Sequence, residues 1–213
     1  MKIISINIAS PELVSLDGRP KKHKSGIFKT PVSAPIFLGY LGFDGDGVGD
    51  LKIHGGKDKA VCGYCVDHFP YWNDKLHRKI SMGSFGENLS LIGMPETVIN
   101  IGDIFEVGLA QIQVSQPRQP CHKLNKVFND QSMACSVKKT GFSGYYFRVL
   151  KSGMVEAGSP LKRVHKDPNE FSVEKANALL RKGGSNTQDM EKLISIPALS
   201  SDWREIVHKR LSR

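Results

Sequence analysis

The stretch Ile104-Phe105-Glu106-Val107-Gly108-Leu109-Ala110-Gln111-Ile112-Gln113-Val114-Ser115-Gln116-Pro117-Arg118-Gln119-Pro120-Cys121-His122-Lys123-Leu124 decides how the rest of the chain is read. Two short β-type runs, Ile104–Val107 and Ala110–Ser115, lead directly into a loop that carries a cysteine. The same kind of run recurs at Lys2–Ile8, Ile36–Leu41, Lys59–Tyr64, Val98–Ile99, Tyr145–Val149 and Gly153–Glu156, with Gly, Pro, Asp and Asn between them. In the first of these, Ile4, Ile6 and Ile8 alternate onto one side, as a half-buried strand requires. Spacing and turn residues together predict a mostly β fold over residues 1–165, an all-β barrel or sandwich with a few surface helices.

Two segments break that pattern. Phe69, Trp72, Leu76 and Ile80 fall at helical spacing over Asp67–Lys79, with Asp67 placed to cap. Leu124, Val127 and Phe128 predict a short helix within Pro120–Phe128. From about residue 166 the character changes to a three-helix C-terminal subdomain, residues 166–213. Ser172 caps a first helix through Leu180, and Gly183-Gly184 end it. A second spans Asp189–Ile194 and stops before Pro197. A third begins at Asp202, with Glu205 in the capping-box position and Trp203, Ile206, Val207 and Leu211 on one face. Three such short helices bury little surface alone, so the tail is predicted to dock on the β domain.

Of 213 residues, 39% are hydrophobic, enough for a core without covalent staples. No run of 18 apolar residues exists to span a membrane. The polar Ser10-Pro11-Glu12 interrupts the N-terminal segment too early for a signal peptide, which leaves the cytoplasm as the expected location. Four cysteines, Cys62, Cys65, Cys121 and Cys135, are accordingly expected to be reduced. The net charge of +9 favours anionic partners without fixing the fold. Part of it is a local run, Arg19, Lys21, Lys22, Lys24 and Lys29 against Asp17, of the kind found in solvated loops. Nucleic acid is an unlikely partner, because no recognisable binding motif accompanies the charge.

In the loop after Ser115, Pro117 and Pro120 each fix φ and restrict the residue before them, so the backbone is stiff. Arg118 precedes Cys121 by three positions, and His122 and Lys123 follow it. Nearby positive charge favours a thiolate, the form that attacks or binds a metal. A thiolate is a soft donor suited to a sulfur-rich metal centre. The alternative for Cys121, a packed thiol at a strand end, fits poorly with such charged neighbours.

The string QPRQPCHKL resembles the cysteine motif of the MOSC domain family, named after the C-terminal part of molybdenum-cofactor sulfurase. Further segments look like the same family in order: Ser25-Gly26-Ile27-Phe28-Lys29-Thr30-Pro31-Val32, then Gly49-Asp50-Leu51-Lys52-Ile53-His54-Gly55-Gly56 leading to Asp58-Lys59-Ala60-Val61, then Ser84-Phe85-Gly86-Glu87-Asn88-Leu89, then Ile101-Gly102-Asp103. The helical tail is a feature of its YiiM-like subgroup. The resemblance covers essentially the whole chain and implies a MOSC-type β-barrel.

It also implies a cofactor, a molybdenum pyranopterin dithiolate bearing a phosphate, with Cys121 as the protein ligand to the metal. Lys52 and His54, read as alternate positions of an extended segment, would face one side. Gly55-Gly56 would let backbone amides approach the ligand. With Arg118 and Lys29 they would form a cationic cradle for the phosphate. Asn88 suits the amide-like edge of a pterin, and Glu87 would accept from its amino group. Taken singly, Gly55-Gly56 reads as a plain turn, Glu87-Asn88 as a hairpin turn and His54 as a surface residue.

The activity implied is that of a molybdenum-dependent oxidoreductase. It would reduce N-hydroxylated compounds such as hydroxylaminopurines, with Cys121 and Arg118 at the catalytic centre. Cleavage of the N–O bond takes two electrons and two protons and releases an amine and water. Arg118, His122 and Lys123 are the candidates for proton delivery. No four-cysteine cluster pattern or dinucleotide fingerprint is present, so electrons would come from a separate flavoprotein reductase. A second class is a cofactor carrier or sulfur-transfer module holding a persulfide on Cys121. Cys62-Gly63-Tyr64-Cys65 has the spacing of a thioredoxin-type pair, but the chain lacks the βαβ pattern of that fold, and packing is the preferred reading. A zinc site drawing on Cys62 and Cys65 lacks a second close-spaced ligand pair. Oligomeric state stays open between monomer and homodimer.

Overall fold

The computed structural model describes residues 1–15, 22–181 and 186–212. Its strands are β1 (Lys2–Ile8), β2 (Glu12–Ser15), β3 (Lys22–Ser25), β4 (Thr30–Val32), β5 (Ile36–Gly39), β6 (Gly42–Phe43), β7 (Val61–Cys65), β8 (Leu89–Ile92), β9 (Ile104–Val107), β10 (Ala110–Pro117), β11 (Tyr145–Lys151), β12 (Gly153–Val155) and β13 (Leu161–His165). The helices are α1 (Leu51–His54), α2 (Phe69–Leu76), α3 (Lys123–Phe128), α4 (Met133–Thr140), α5 (Val173–Leu179), α6 (Thr187–Ser195) and α7 (Ser201–Leu211). Eight strands form one sheet in the order β13-β9-β10-β11-β7-β8-β1-β4, antiparallel throughout except for β7 against β8. A bridge from Lys2 to Pro160 brings the β13 end of this sheet back to β1, so the sheet curls into a barrel-like half-closed wall.

The predicted mostly β architecture is what the chain adopts. Ile104–Val107 is β9, and Ala110–Ser115 is β10 extended to Pro117. In β1 the alternation differs from the expected one. Ile3 and Ile6 are buried and Ile4 is exposed, because the register against β8 shifts between Ile3 and Ser5. Such a bulge inserts a residue and inverts the phase of side chains beyond it. Val98–Ile99 forms a turn, with Val98 N–H donating to Pro95 O at 3.0 Å, and not a strand.

Helix boundaries shift for local reasons. Asp67 does not cap α2. It sits in a preceding 3-10 turn, where its carboxylate accepts from Gly93 N–H at 3.0 Å, while Pro70 occupies the first turn of the helix. Phe69 and Trp72 are buried as the spacing requires, and Leu124 and Phe128 form the buried face of α3. They join Tyr64, Phe85, Met133 and Val137 in an aromatic cluster in which Tyr64 and Phe85 stack at 3.9 Å between centroids.

In the tail, Ser172 caps α5, accepting from Lys175 N–H at 3.0 Å. Gly183-Gly184, assigned above as its terminator, lie outside the described residues, as do Asp17, Arg19 and Lys21 of the basic run. α7 starts earlier than Asp202. Ser200 is its cap, accepting from Trp203 N–H at 3.2 Å, so Glu205 is not in the capping-box position. The tail docks as anticipated. Phe171, Val173, Leu193, Trp203 and Val207 belong to the same buried cluster as Ile112, Val114 and Phe147 of the barrel. Trp203 Nε1–H donates to Pro117 O at 3.0 Å, and Ser200 N–H donates to Ser115 O at 3.0 Å. The tail thereby grips the strand that ends at the cysteine loop. No helix among the described residues is long and apolar enough to cross a membrane.

Candidate functional site

The row of residues that supports the cysteine loop is set by strand pairing. β10 pairs with β11 so that Gln116 lies opposite Tyr146, and β11 pairs with β7 so that Tyr146 lies opposite Cys62. The chain leaves β10 at Pro117, and Arg118 N–H donates to Gly144 O at 3.0 Å, anchoring the loop to the turn before β11. Cys121 follows, partly exposed, with its Sγ 3.9 Å from His122 Nδ1. Two cavities meet at this thiol. One, of about 260 Å³, is walled by Gly26, Lys29, Gly55, Gly56, Asn88 and Arg118, among others. The other, of about 1080 Å³, opens toward α7. His54, Lys59, Gln119, Cys121, Lys123 and Tyr146 line both.

Arg118 is the most unusual side chain in this region. It is 6% exposed, and its Nη1 has no hydrogen-bond partner among the described residues. A buried guanidinium left short of acceptors is costly, which makes this nitrogen a donor without its acceptor. Burial works against the charge, but the surrounding Cys62, Tyr146, Glu87 and Cys121 outweigh it and hold Arg118 above its usual value. Lys123 makes no hydrogen bond or ion pair among the described residues. Lys59 is engaged by Asp202 of α7 at 2.6 Å and by Ile53 O at 2.7 Å.

His54 reports the resulting potential. Burial, and then the charges of Lys123, Arg118 and Lys59, lower its pKa from 6.5 to about 4. The ring is therefore neutral at physiological pH. A folded-state value below the unfolded one means that the unfolded chain takes up this proton first. The contribution of His54 to stability is thus complete above pH 6.5 and declines as pH falls toward about 4. In an NMR titration the His54 ring protons should stay flat from pH 8 to 5, and Lys123→Ala should move the midpoint upward. A His54 midpoint near 6.5 in the unmodified protein would contradict this electrostatic picture.

The expected cationic cradle is rearranged. Lys52 and His54 do not alternate along an extended segment, because Leu51–His54 is a helical turn. In a helix, positions two apart face different ways. His54 lines the cavity, while the side chain of Lys52 lies outside what the structure describes. Gly56 takes φ 98°, and a Cβ there would meet nothing within 4 Å, so this backbone borders open space. Lys29 reaches the cavity wall but is ion-paired with Asp46, which also accepts from Asn88 Nδ2 at 2.8 Å and Ala9 N–H at 2.9 Å.

Asn88 lines the cavity yet is occupied on both sides. Its Oδ1 accepts from Cys62 N–H at 3.0 Å, and its Nδ2 also donates to Asn7 O at 3.2 Å. Glu87 does not line either cavity. It is fully buried and accepts from Gly83 N–H, Phe85 N–H and Ser90 Oγ at 2.7, 3.0 and 2.8 Å. Burial raises its carboxyl above the usual range, against those same hydrogen bonds. The Glu87 carboxylate, expected to face a ligand, is turned instead to its own loop. Asn88 shapes the wall and ties β1 to β7, while Glu87 organises the loop that leads into β8.

Cys62 and Cys65 lie three apart on β7, which places them on opposite faces of the strand. Only Cys62 borders a cavity, and burial raises both thiols, Cys65 to about 12. Neither has the low-pKa, accessible character of a dithiol catalyst. Tyr146 is the site residue that no motif disclosed. Burial pushes its phenol up, so the hydroxyl remains a donor beside Arg118 and Cys121. Its signal lay only in the pairing of β11 with β7 and β10.

Residues 50–162 match the family described as MOSC domain, and residues 172–213 match the one described as YiiM-like, 3-alpha helix domain. The protein YflK of Bacillus subtilis is 41% identical over 99% of this chain and 95% of its own length. The crystal structure of YiiM from Geobacillus stearothermophilus superposes with a TM-score of 0.84 at 38% identity, covering 99% of this chain and 98% of that one. A protein named Reductase from Gibberella moniliformis is 29% identical over 88% of this chain, a match that covers 34% of the fungal protein.

Proposed function

The chain belongs to the MOSC family and carries its YiiM-like three-helix extension, and from that premise we propose that it is a molybdenum-cofactor protein that reduces N-hydroxylated compounds with electrons from a separate flavoprotein reductase. The observation that carries the reading is Arg118 Nη1, a buried donor without an acceptor among the described residues, on a side chain that lines the same cavity as Cys121. A phosphate fits that need, because a guanidinium donates two parallel bonds to its oxygens. Lys123 adds a point charge that has no partner among the described residues. Cys121 supplies the same cavity with a partly exposed soft thiol, the donor type that suits a sulfur-rich molybdenum centre.

When bound, the molybdenum pyranopterin dithiolate supplies a two-electron redox centre. The chain supplies position and hydrogen bonds. Cys121 Sγ holds the metal in place, and Arg118 and Lys123 hold the phosphate. His54 is held neutral by burial and by the charges of Lys123, Arg118 and Lys59, so its ring hydrogen-bonds in this space as a neutral imidazole. Tyr146, kept protonated by burial, lines the same space. The reaction converts R–NHOH, two electrons and two protons into R–NH2 and water. That a region like this chain occurs within a longer protein named Reductase supports a redox role.

The test is turnover. Molybdenum-loaded protein with a competent flavoprotein reductase should consume a hydroxylaminopurine, and folded Cys121→Ser should not. Wild-type protein that retains cofactor yet turns over with no competent reductase would instead assign the chain to cofactor carriage or sulfur transfer.

A further inference from the structure

A buried acid holds the cysteine loop from behind. Glu96, in the turn after β8, is 3% exposed and lines neither of the two cavities. Its Oε1 accepts from Gly144 N–H at 2.8 Å, and its Oε2 lies 2.6 Å from Nε2 of buried His68. Written as a carboxylate, Glu96 accepts both bonds, and His68 Nε2–H is the second donor. The His68 ring stacks flat on Phe142, with centroids 3.8 Å apart and planes 7° from parallel. Glu96 and His68 thus grip the turn 141–144 by its ring and by its last amide. That turn anchors the loop, since Gly144 O accepts from Arg118 N–H at 3.0 Å. Gly144 takes φ 74°, and a Cβ there would lie 2.3 Å from Gly63 O, so the turn is pressed against the strand that carries Cys62.

The tail closes the same grip. At the start of α5, Glu174 N–H donates to Glu96 O at 2.9 Å. Further along that helix, Asn177 Nδ2 donates to Ser143 Oγ at 2.9 Å. Ser143 Oγ–H in turn donates at 3.1 Å to Gly144 O, the carbonyl that receives Arg118. We propose that Glu96 is a positioning residue for the cysteine loop. With His68 and Asn177 it fixes Gly144 O, and through it the backbone from Arg118 to Cys121. This rests on the cofactor reading of the loop given above, and it gives the three-helix extension a part in the site. Arg118 and Cys121 have to meet one rigid ligand together, so a small displacement of the backbone between them is costly.

Amide hydrogen exchange on the full-length protein without cofactor reads the anchor directly. Glu96→Leu removes both carboxylate bonds at similar volume. Exchange at Arg118 N–H should then rise at least about tenfold, the size of a lost hydrogen bond to a charged group. The amides of Ile112 and Phe147, inside the sheet, should stay within about twofold of their parent rates. An acid that serves stability alone would raise all of them together. Glu96→Gln should restore the parent rate at Arg118, because its carbonyl accepts from Gly144 N–H and its amide donates to His68 Nε2 in the other tautomer. Glu96→Asp, drawn back by one carbon, cannot reach both partners and gives the same comparison where the leucine variant does not fold. In protein from a cofactor-producing host, Glu96→Leu should retain about tenfold less molybdenum than Glu96→Gln, with Cys121 and Arg118 both intact. Unchanged Arg118 exchange in the leucine and aspartate variants, or a rise in step with the sheet amides, overturns the proposal. So does equal molybdenum in the leucine and glutamine variants. Parent protein that carries no molybdenum overturns the cofactor reading instead, and the exchange comparison, which needs no cofactor, still decides the role of Glu96.

Discussion

Arg118→Met is expected to weaken retention of the cofactor by about 30-fold or more, while the protein without cofactor stays as stable as its parent or becomes more so. The first half follows from removing one partner of a buried, hydrogen-bonded charge pair, which costs about 2–5 kcal/mol of binding. The second follows from what Arg118 lacks. Its Nη1 is buried with no hydrogen-bond partner among the described residues, so the desolvation of that N–H is not offset by a hydrogen bond. Methionine has similar length and no charge to desolvate, and such exchanges are often neutral or stabilising. A residue kept for folding would behave in the opposite way. The paired measurement is a urea midpoint on the protein without cofactor and molybdenum content on the protein as purified. A lowered midpoint with unchanged molybdenum would make Arg118 a structural residue and remove the phosphate reading.

Trp203→Ala should cost about 3–5 kcal/mol, the range for truncating a fully buried aromatic side chain. Trp203 is 0% exposed and is the point where α7 holds the strand leading to the cysteine loop. Trp203→Phe keeps most of the packing and loses the bond to Pro117 O, so it should cost about 1 kcal/mol. The two variants separate burial from the hydrogen bond. Because Pro117 lies four residues before Cys121, the alanine variant should also release cofactor more readily. A cost below about 1 kcal/mol for the alanine variant would mean that the tail rests on the barrel without securing it.

The sequence disclosed features written locally and hid those made by distant pairing. β9 and β10 were legible because each carries its own pattern between turn residues. The stripe of Phe69 and Trp72 and the Ser172 cap were legible for the same reason. β8, Leu89–Ile92, was obscured because Glu87-Asn88 before it reads as a turn. α4 was obscured because it buries only Met133 and Val137, a single helical pair. The bulge in β1 cannot be seen in Ile4-Ser5-Ile6, since it depends on register with β8.

At the site, the motifs located Cys121, Arg118 and His54 but not the state of their charges. Asp46 neutralises Lys29 from 17 positions away, and Asp202 engages Lys59 from 143 positions away. Lys52 and His54 looked like strand neighbours because charge and spacing alone do not distinguish a short helical turn from an extended segment. Glu87 looked like a ligand-facing carboxylate, yet the hydrogen bonds of that carboxylate are made within residues 83–90, where it organises its own loop. Gln116 and Tyr146 are ordinary residues until β10 and β11 pair and place them side by side.

The central claim is that Cys121 is the protein ligand to molybdenum. Metal analysis together with pterin fluorescence, on wild-type protein and Cys121→Ala expressed side by side in a cofactor-producing host, tests it most directly. Wild-type protein should carry molybdenum and pterin in proportion, and Cys121→Ala, with an unchanged fold, should lose the metal. Equal molybdenum in the two proteins would contradict the claim.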